Sequence, residues 1–401
     1  MTGMGGPSSR QSQQVAAAFN HSLWEQLFLV LLISSVATAI TIAYRRQSRQ
    51  RGWIVPEPSA ESSARSLLRI GTASLWVIAG LLQLQPEMPL GVPMQIIAPS
   101  AAHGPGWLRH LADFIASGWI REPTTAAGIV VWLQLGLGVW LIAADRGWSS
   151  RVAGLVSAIW ASAIWLVGTS MGGIFVPPVG WMFGAPGATA FYAVAGVALA
   201  LPLERFESRE ATVRSSRGIG FVLLGFAILQ AWPDQGYWSG RVGRSLGPIA
   251  EMARQMSTLT QPSAFSSVQR HVASVAASWS WTFDLAVLVG LVVSGILMLV
   301  ATSRSVRIGA WIYTVLAVLD WLVIQDLGFF GGLGTDLNSM LPSALLVVTG
   351  AMALRSSAPA GPTPIRRKVS PQSEARLAMT VSSASVVVTA AVSLLLVVSL
   401  R

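Results

Sequence analysis

The sequence predicts an all-α, polytopic membrane protein of about ten transmembrane helices, and three observations predict it. Hydrophobic residues fill 53% of the 401 positions and charged residues only 11%, a balance suited to a surface that mostly faces lipid. Apolar runs of spanning or near-spanning length recur along the chain. Basic residues cluster in the short segments between those runs, which is where topology places them. The net charge of +10 therefore reports orientation and gives no polar face for nucleic acid. Cysteine is absent, which excludes disulfides, thiolate metal sites and dithiol chemistry in this chain.

The chain opens with about 23 residues rich in Gly, Ser and Gln, followed by an apolar run over 24–44. Arg45, Arg46, Arg49 and Arg51 come after that run. A secretory signal carries its positive charge ahead of the apolar stretch, so this reads as an uncleaved helix with its N-terminus outside. Residues 56–66, PEPSAESSARS, read as a cytoplasmic linker. Further runs fall at 70–86, 125–144, 152–170, 187–203, 218–232, 282–302, 308–326, 341–354 and 378–400. Most of the 27 Lys and Arg residues then lie in inner loops, which places both termini outside a prokaryotic cytoplasmic membrane.

The middle of the chain is written twice. A shift of 147 lays Gly71 on Gly218, Leu82-Gln83 on Leu229-Gln230 and Pro86 on Pro233. After a longer outer loop, a shift of 156 lays Arg151 on Arg307, Trp165 on Trp321, Gly172 on Gly328 and Pro186 on Pro342. Each copy holds four runs, an even number, so the copies enter from the same side and are parallel repeats. The expected organisation is an N-terminal helix and linker over 1–68, a first four-helix repeat over 69–203, a second over 217–354, and a basic linker with a last helix over 355–401. In the outer loop 87–122, Trp107, Leu108, Leu111, Phe114, Ile115 and Trp119 fall near one helical face. They suit an interfacial helix, with a lid over a membrane site as the alternative. A weaker helical excursion is expected over 255–277 in the second outer loop.

The segment Trp321 to Pro342, WLVIQDLGFFGGLGTDLNSMLP, concentrates the polar candidates. A charged carboxylate within a span costs on the order of 3 kcal/mol. Asp320 therefore reads either as a cation, proton or polar-ligand site or as an acid that holds two helices together. Gln325 and Asp326 are expected near the outer end of the same helix. The Gly-rich stretch after them permits non-helical backbone, with Asp336 and Asn338 as either a cap for the next span or a ligand-facing rim. Asp284 and Asp234 fall on the same outer side. Gln83 and Gln230 occupy matching positions in the two copies, and an amide in an apolar helix must find a partner. The first copy lacks the acids: Thr169, Ser170, Gly180 and Met182 stand opposite Gln325, Asp326, Asp336 and Asn338. Any specialised chemistry is accordingly expected in the second copy. His21, His103, His110 and His271 all lie outside the runs, so no histidine pair is placed to hold haem, and no zinc spacing is present.

Arg69-Ile70-Gly71 leading to Gly80-Leu81-Leu82-Gln83, in a unit of four spans with a long loop after the first, resembles the DoxX-like family of small four-helix membrane proteins. The family often carries a Lys where this chain has Gln83. The resemblance implies a tandem duplication of that unit and an association with membrane redox functions, including subunits linked to quinone reduction. The expectation is a membrane subunit or scaffold near quinone-linked or thiol redox chemistry, with catalysis in a redox partner protein and quinone as the cofactor to look for. A secondary transporter or permease for a small polar solute or cation is the alternative, favoured by parallel repeats and intramembrane acids.

Overall fold

The chain folds as an array of α-helices, seen in a computed structural model that describes residues 9–50, 61–145, 147–242, 245–259, 261–328, 330, 333–356 and 387. The described helices are α1 (Ser9–Gln50), α2 (Ser63–Leu82), α3 (Gly106–Arg121), α4 (Pro123–Ala143), α5 (Gly147–Ala163), α6 (Ala188–Ala200), α7 (Arg209–Ala231), α8 (Pro248–Thr258), α9 (Ser263–Val300), α10 (Ser303–Val323) and α11 (Met340–Ser356), with several shorter turns between them. Strand is confined, among the described residues, to a two-residue hairpin pairing Arg241–Val242 with Ser245–Leu246.

Seven of these helical segments are long and apolar enough to cross a membrane. Two more, Ala188–Ala200 and Met340–Arg355, are apolar but shorter. The run expected over 378–400 lies outside the described residues except at Val387, and most of the linkers on either side of the helical core lie outside them too. Large apolar side chains stand exposed on the outside of the array, among them Trp24, Phe28, Trp148, Phe221, Ile228 and Trp311. Such a surface belongs in lipid.

Several helices begin earlier than hydropathy alone predicts, because polar caps extend them beyond the apolar run. Ser62 caps α2 by accepting from the Arg65 N–H, and Ser208 caps α7 through the Ala211 N–H. Thr302 and Ser305 form a reciprocal capping box at the start of α10, which satisfies two otherwise free donors. The largest extension is α9: most of the weak helical excursion expected ahead of the span runs into it as one helix of 38 residues, broken locally at Trp279 (φ −128°, ψ 30°).

Packing divides the helices into two groups. In the first, α2 packs on α4 and α6, and α5 packs on α6; in the second, α7 packs on α9 and α11, and α10 packs on α9 and α11. Helix α11 also packs on α2 and α6, joining the groups, while α1 lies against α4. Close backbone approach makes these contacts possible. A Cβ at Gly154 or Gly196 would collide with the facing helix, and so would one at Gly220.

Two loops cross between the groups. The turn Trp181–Phe183, which precedes α6, places Trp181 and Met182 in the core of the second group. Leu337, which precedes α11, is buried in the core of the first group. Each four-helix group is thus completed by a loop from the other.

Candidate functional site

The first polar constellation lies in the second group, around the short turn 180–184. Gln230 on α7 donates from Nε2 to Asp284 Oδ1 on α9 at 2.6 Å and lies 3.3 Å from Met182 Sδ. Gln325, just past the end of α10, folds back to donate from Nε2 to Asp320 Oδ2 at 2.9 Å. Trp181 donates to the Tyr313 hydroxyl at 3.1 Å, which donates to Ser343 Oγ at 2.8 Å. Tyr237 enters from the loop after α7 with its hydroxyl against Gly180, where no side chain would fit. Burial pushes the Tyr237 phenol well above its ordinary range, and the nearby Asp284 and Asp320 carboxylates push it the same way. One hydroxyl therefore senses both acids.

The second constellation is a cavity of about 180 Å³ in the first group, between α2, α4, α5 and α6. Its walls include Trp76, Trp160 and Tyr192, with Ile115 and Trp119 of α3 over it. Trp76 and Tyr192 stack edge to face at 4.9 Å, and Trp76 is held by donating to Ser157 Oγ at 2.8 Å. Trp119 is anchored by donating to the Pro89 carbonyl at 3.0 Å. Among these apolar walls sit Gln83, Gln134, Thr189 and Tyr192, each at most 5% exposed. Gln83 Oε1, Gln134 Oε1, Thr189 Oγ1, Tyr192 Oη and Trp160 Nε1 are all buried without a protein partner. An unsatisfied buried polar group costs about 1–3 kcal/mol, and five of them belong to residues lining this one cavity.

The structure sorts the residues singled out in the sequence into separate places. It brings Gln230 to Asp284 and Gln325 to Asp320, and it puts Gln83 in the first-group cavity. Gln325 and Asp326 are not on the helix that carries Asp320: α10 ends at Val323, and Asp326 and Leu327 take positive φ values of 49° and 61°. The Gly-rich sequence that follows lets the chain turn there. Asp326 is fully buried and faces the Gln269 amide of α9, apart from the Asp284 and Asp320 pairs. Asp336 accepts the Asn338 N–H at 2.7 Å in a local turn, and Asn338 Nδ2 reaches the Gln325 carbonyl at 3.4 Å. Asp336 also lines the cavity of the first group. Asp234 is exposed in the turn after α7, away from the buried pairs.

Two further expectations change. The first group is not chemically empty, because its polar groups are amides and hydroxyls that a search for acids passes over. On α3 the buried residues are Leu108, Ala112, Ala116, Gly118 and Trp119, whereas Trp107 and Phe114 are exposed. Small alanines bring that face close to its neighbours, so the helix packs on the side opposite two of its aromatics. Tyr237, Tyr313 and Tyr192 are absent from the candidates read in the sequence; their rarity, four tyrosines in so apolar a chain, is the one signal that could have found them. Among the described residues no group of three or more His, Cys, Asp and Glu could hold a metal ion.

The chain matches no family model, no curated protein and no solved structure.

Proposed function

We propose that the chain is a membrane subunit that binds a single-ring quinone in the first-group cavity and presents it to a partner oxidoreductase. The cavity carries this reading. A cavity of about 150 Å³ holds benzene, so about 180 Å³ suits one substituted ring. Flat aromatic walls from Trp76, Trp160 and Tyr192 suit the faces of such a ring. A quinone presents two carbonyl oxygens, which accept hydrogen bonds. Trp160 Nε1–H, Tyr192 O–H and Thr189 O–H are donors left without acceptors. The bound quinone would supply two-electron redox chemistry; this chain's residues orient the ring, exclude water and hold its oxygens. With no cysteine in the chain, any thiol chemistry belongs to the partner.

The same reading takes the protein as two DoxX-like four-helix units in tandem, over 69–203 and 217–354, within about ten spans. Support comes from contacts that repeat at the sequence shifts. Arg69 donates to the Leu141 and Ile142 carbonyls at 2.7 and 2.9 Å, and Ser216 donates to the Met298 carbonyl at 2.8 Å. Arg69 and Ser216 are 147 apart, and Ile142 and Met298 are 156 apart. Trp181 and Leu337, also 156 apart, are each buried in the opposite group's core. The test is purification of the full chain in mild detergent, followed by solvent extraction and quinone analysis. The reading expects roughly one quinone per chain, displaced by excess short-chain quinone. A chain that retains none and binds none on addition would overturn it.

A further inference from the structure

The constellation in the second group is independent of the quinone reading, and its oxygens are the notable feature. Asp284 Oδ2, Asp320 Oδ1, Gln230 Oε1, Gln325 Oε1, Tyr237 Oη and Ser339 Oγ are all buried without a hydrogen-bond partner. One short segment touches four of these residues, and the two acids are bonded to two of those four. Gly180 abuts the Tyr237 hydroxyl, Met182 meets Gln230, and a Cβ at Gly184 would lie 2.9 Å from Ser339 Oγ and 3.6 Å from Gln325 Nε2. Tyr237 is 1% exposed, Ser339 2% and Gln230 0%. Neither acid has a basic partner among the described residues.

We propose that these oxygens form a binding site for a hard, doubly charged metal cation, Ca²⁺ by charge and size. Carboxylates and amide carbonyls are the ligands such a cation takes, at about 2.3–2.6 Å. Ligands at that radius in octahedral array stand about 3.4 Å from one another. Oxygens built for a cation therefore do not hydrogen-bond to each other, and none of these six does. Two carboxylates without a base call for two positive charges, and leaving them uncompensated in a low-dielectric interior is costly. Mg²⁺ is disfavoured because it keeps several waters, and these residues are buried beside Trp181 and Tyr313.

The experiment uses the full chain in phosphatidylcholine nanodiscs, which lack anionic headgroups. Calcium binding is measured by equilibrium dialysis, and melting is compared in Ca²⁺, Mg²⁺, Na⁺ and chelator at constant ionic strength. One Ca²⁺ per chain and a melting temperature that climbs with Ca²⁺ concentration are expected, with little response to Mg²⁺ or Na⁺. Asp284→Asn and Asp320→Asn should each abolish most of that response, and Asp234→Asn, at the exposed turn, should keep it. Tyr237→Phe removes one oxygen while leaving the acids, so it should weaken Ca²⁺ binding several-fold even if the acid variants fold poorly. Equal melting in Ca²⁺ and chelator, or stabilisation by acid pH alone, would overturn the site. Stabilisation by Na⁺ alone would overturn the charge assignment.

Discussion

At the scale of single residues, the first-group cavity is defined by what its polar atoms lack. Tyr192 is 1% exposed and its hydroxyl has no protein partner. Tyr192→Phe therefore removes a group that the empty protein does not use, and a measured thermal melt without quinone should be unchanged or slightly higher. Quinone affinity should fall by about 0.5–1.5 kcal/mol, the net worth of one hydrogen bond, in a titration of the same variant. Asp336 gives a prediction in pH. Burial holds its carboxyl above the ordinary range, against the weaker opposing pull of the Asn338 N–H and the Thr335 hydroxyl. The folded chain then keeps a proton that the unfolded chain has released, so stability declines as pH rises from about 4, the ordinary Asp value, through the raised folded value. Asp336→Asn retains an oxygen for the turn and should flatten that decline in melts taken across the window. These roles were partly legible: Gln83, Gln230 and Asp320 stand out as polar groups in apolar runs. Their partners were not, since Gln230 and Asp284 are 54 positions apart and Tyr237 comes from a loop.

At the scale of elements, hydropathy locates the apolar stretch of a helix, whereas capping sets its ends. Thr302 and Ser305 start α10 well before the apolar run, and the turn at Asp326 and Leu327 ends it before Gln325. This is why Asp320 and Gln325 meet: one sits in the last turn of the helix and the other on the chain folding back over it. The loop after α5 depends in the same way on a glycine. Gly172 has φ +67°, and a Cβ there would overlap the Pro186 carbonyl. Gly172→Ala should cost at least about 1–3 kcal/mol from backbone strain alone, seen as a lower melting temperature. Because that loop also carries Trp181, hydrogen exchange should quicken around Tyr237 and Tyr313 in the other group. Loss confined to the first group would show that the loop is not shared as described. The face of α3 was legible only in part, since its aromatics suggest one side and its alanines select another.

At the scale of the whole molecule, the notable relation is reciprocity. The helical class follows directly from the long apolar runs. Which loop completes which core is a long-range fact that no local pattern contains. Trp181 belongs by sequence with the first group and by packing with the second, and Leu337 does the reverse. Residues 1–203 and 204–401 expressed separately should each be unstable, because each lacks the side chains that fill its core. Expressed together they should copurify as a stable pair; stable, separate halves would contradict the exchange. The central claim, that the first-group cavity holds a quinone ring, is tested most directly by photolabelling the full chain in nanodiscs with an azido-quinone and mapping the labelled peptides. Label in the segments carrying Trp160, Thr189 and Tyr192, suppressed by unlabelled quinone, is the predicted result; label only on lipid-facing residues such as Trp24 and Phe28 would contradict it.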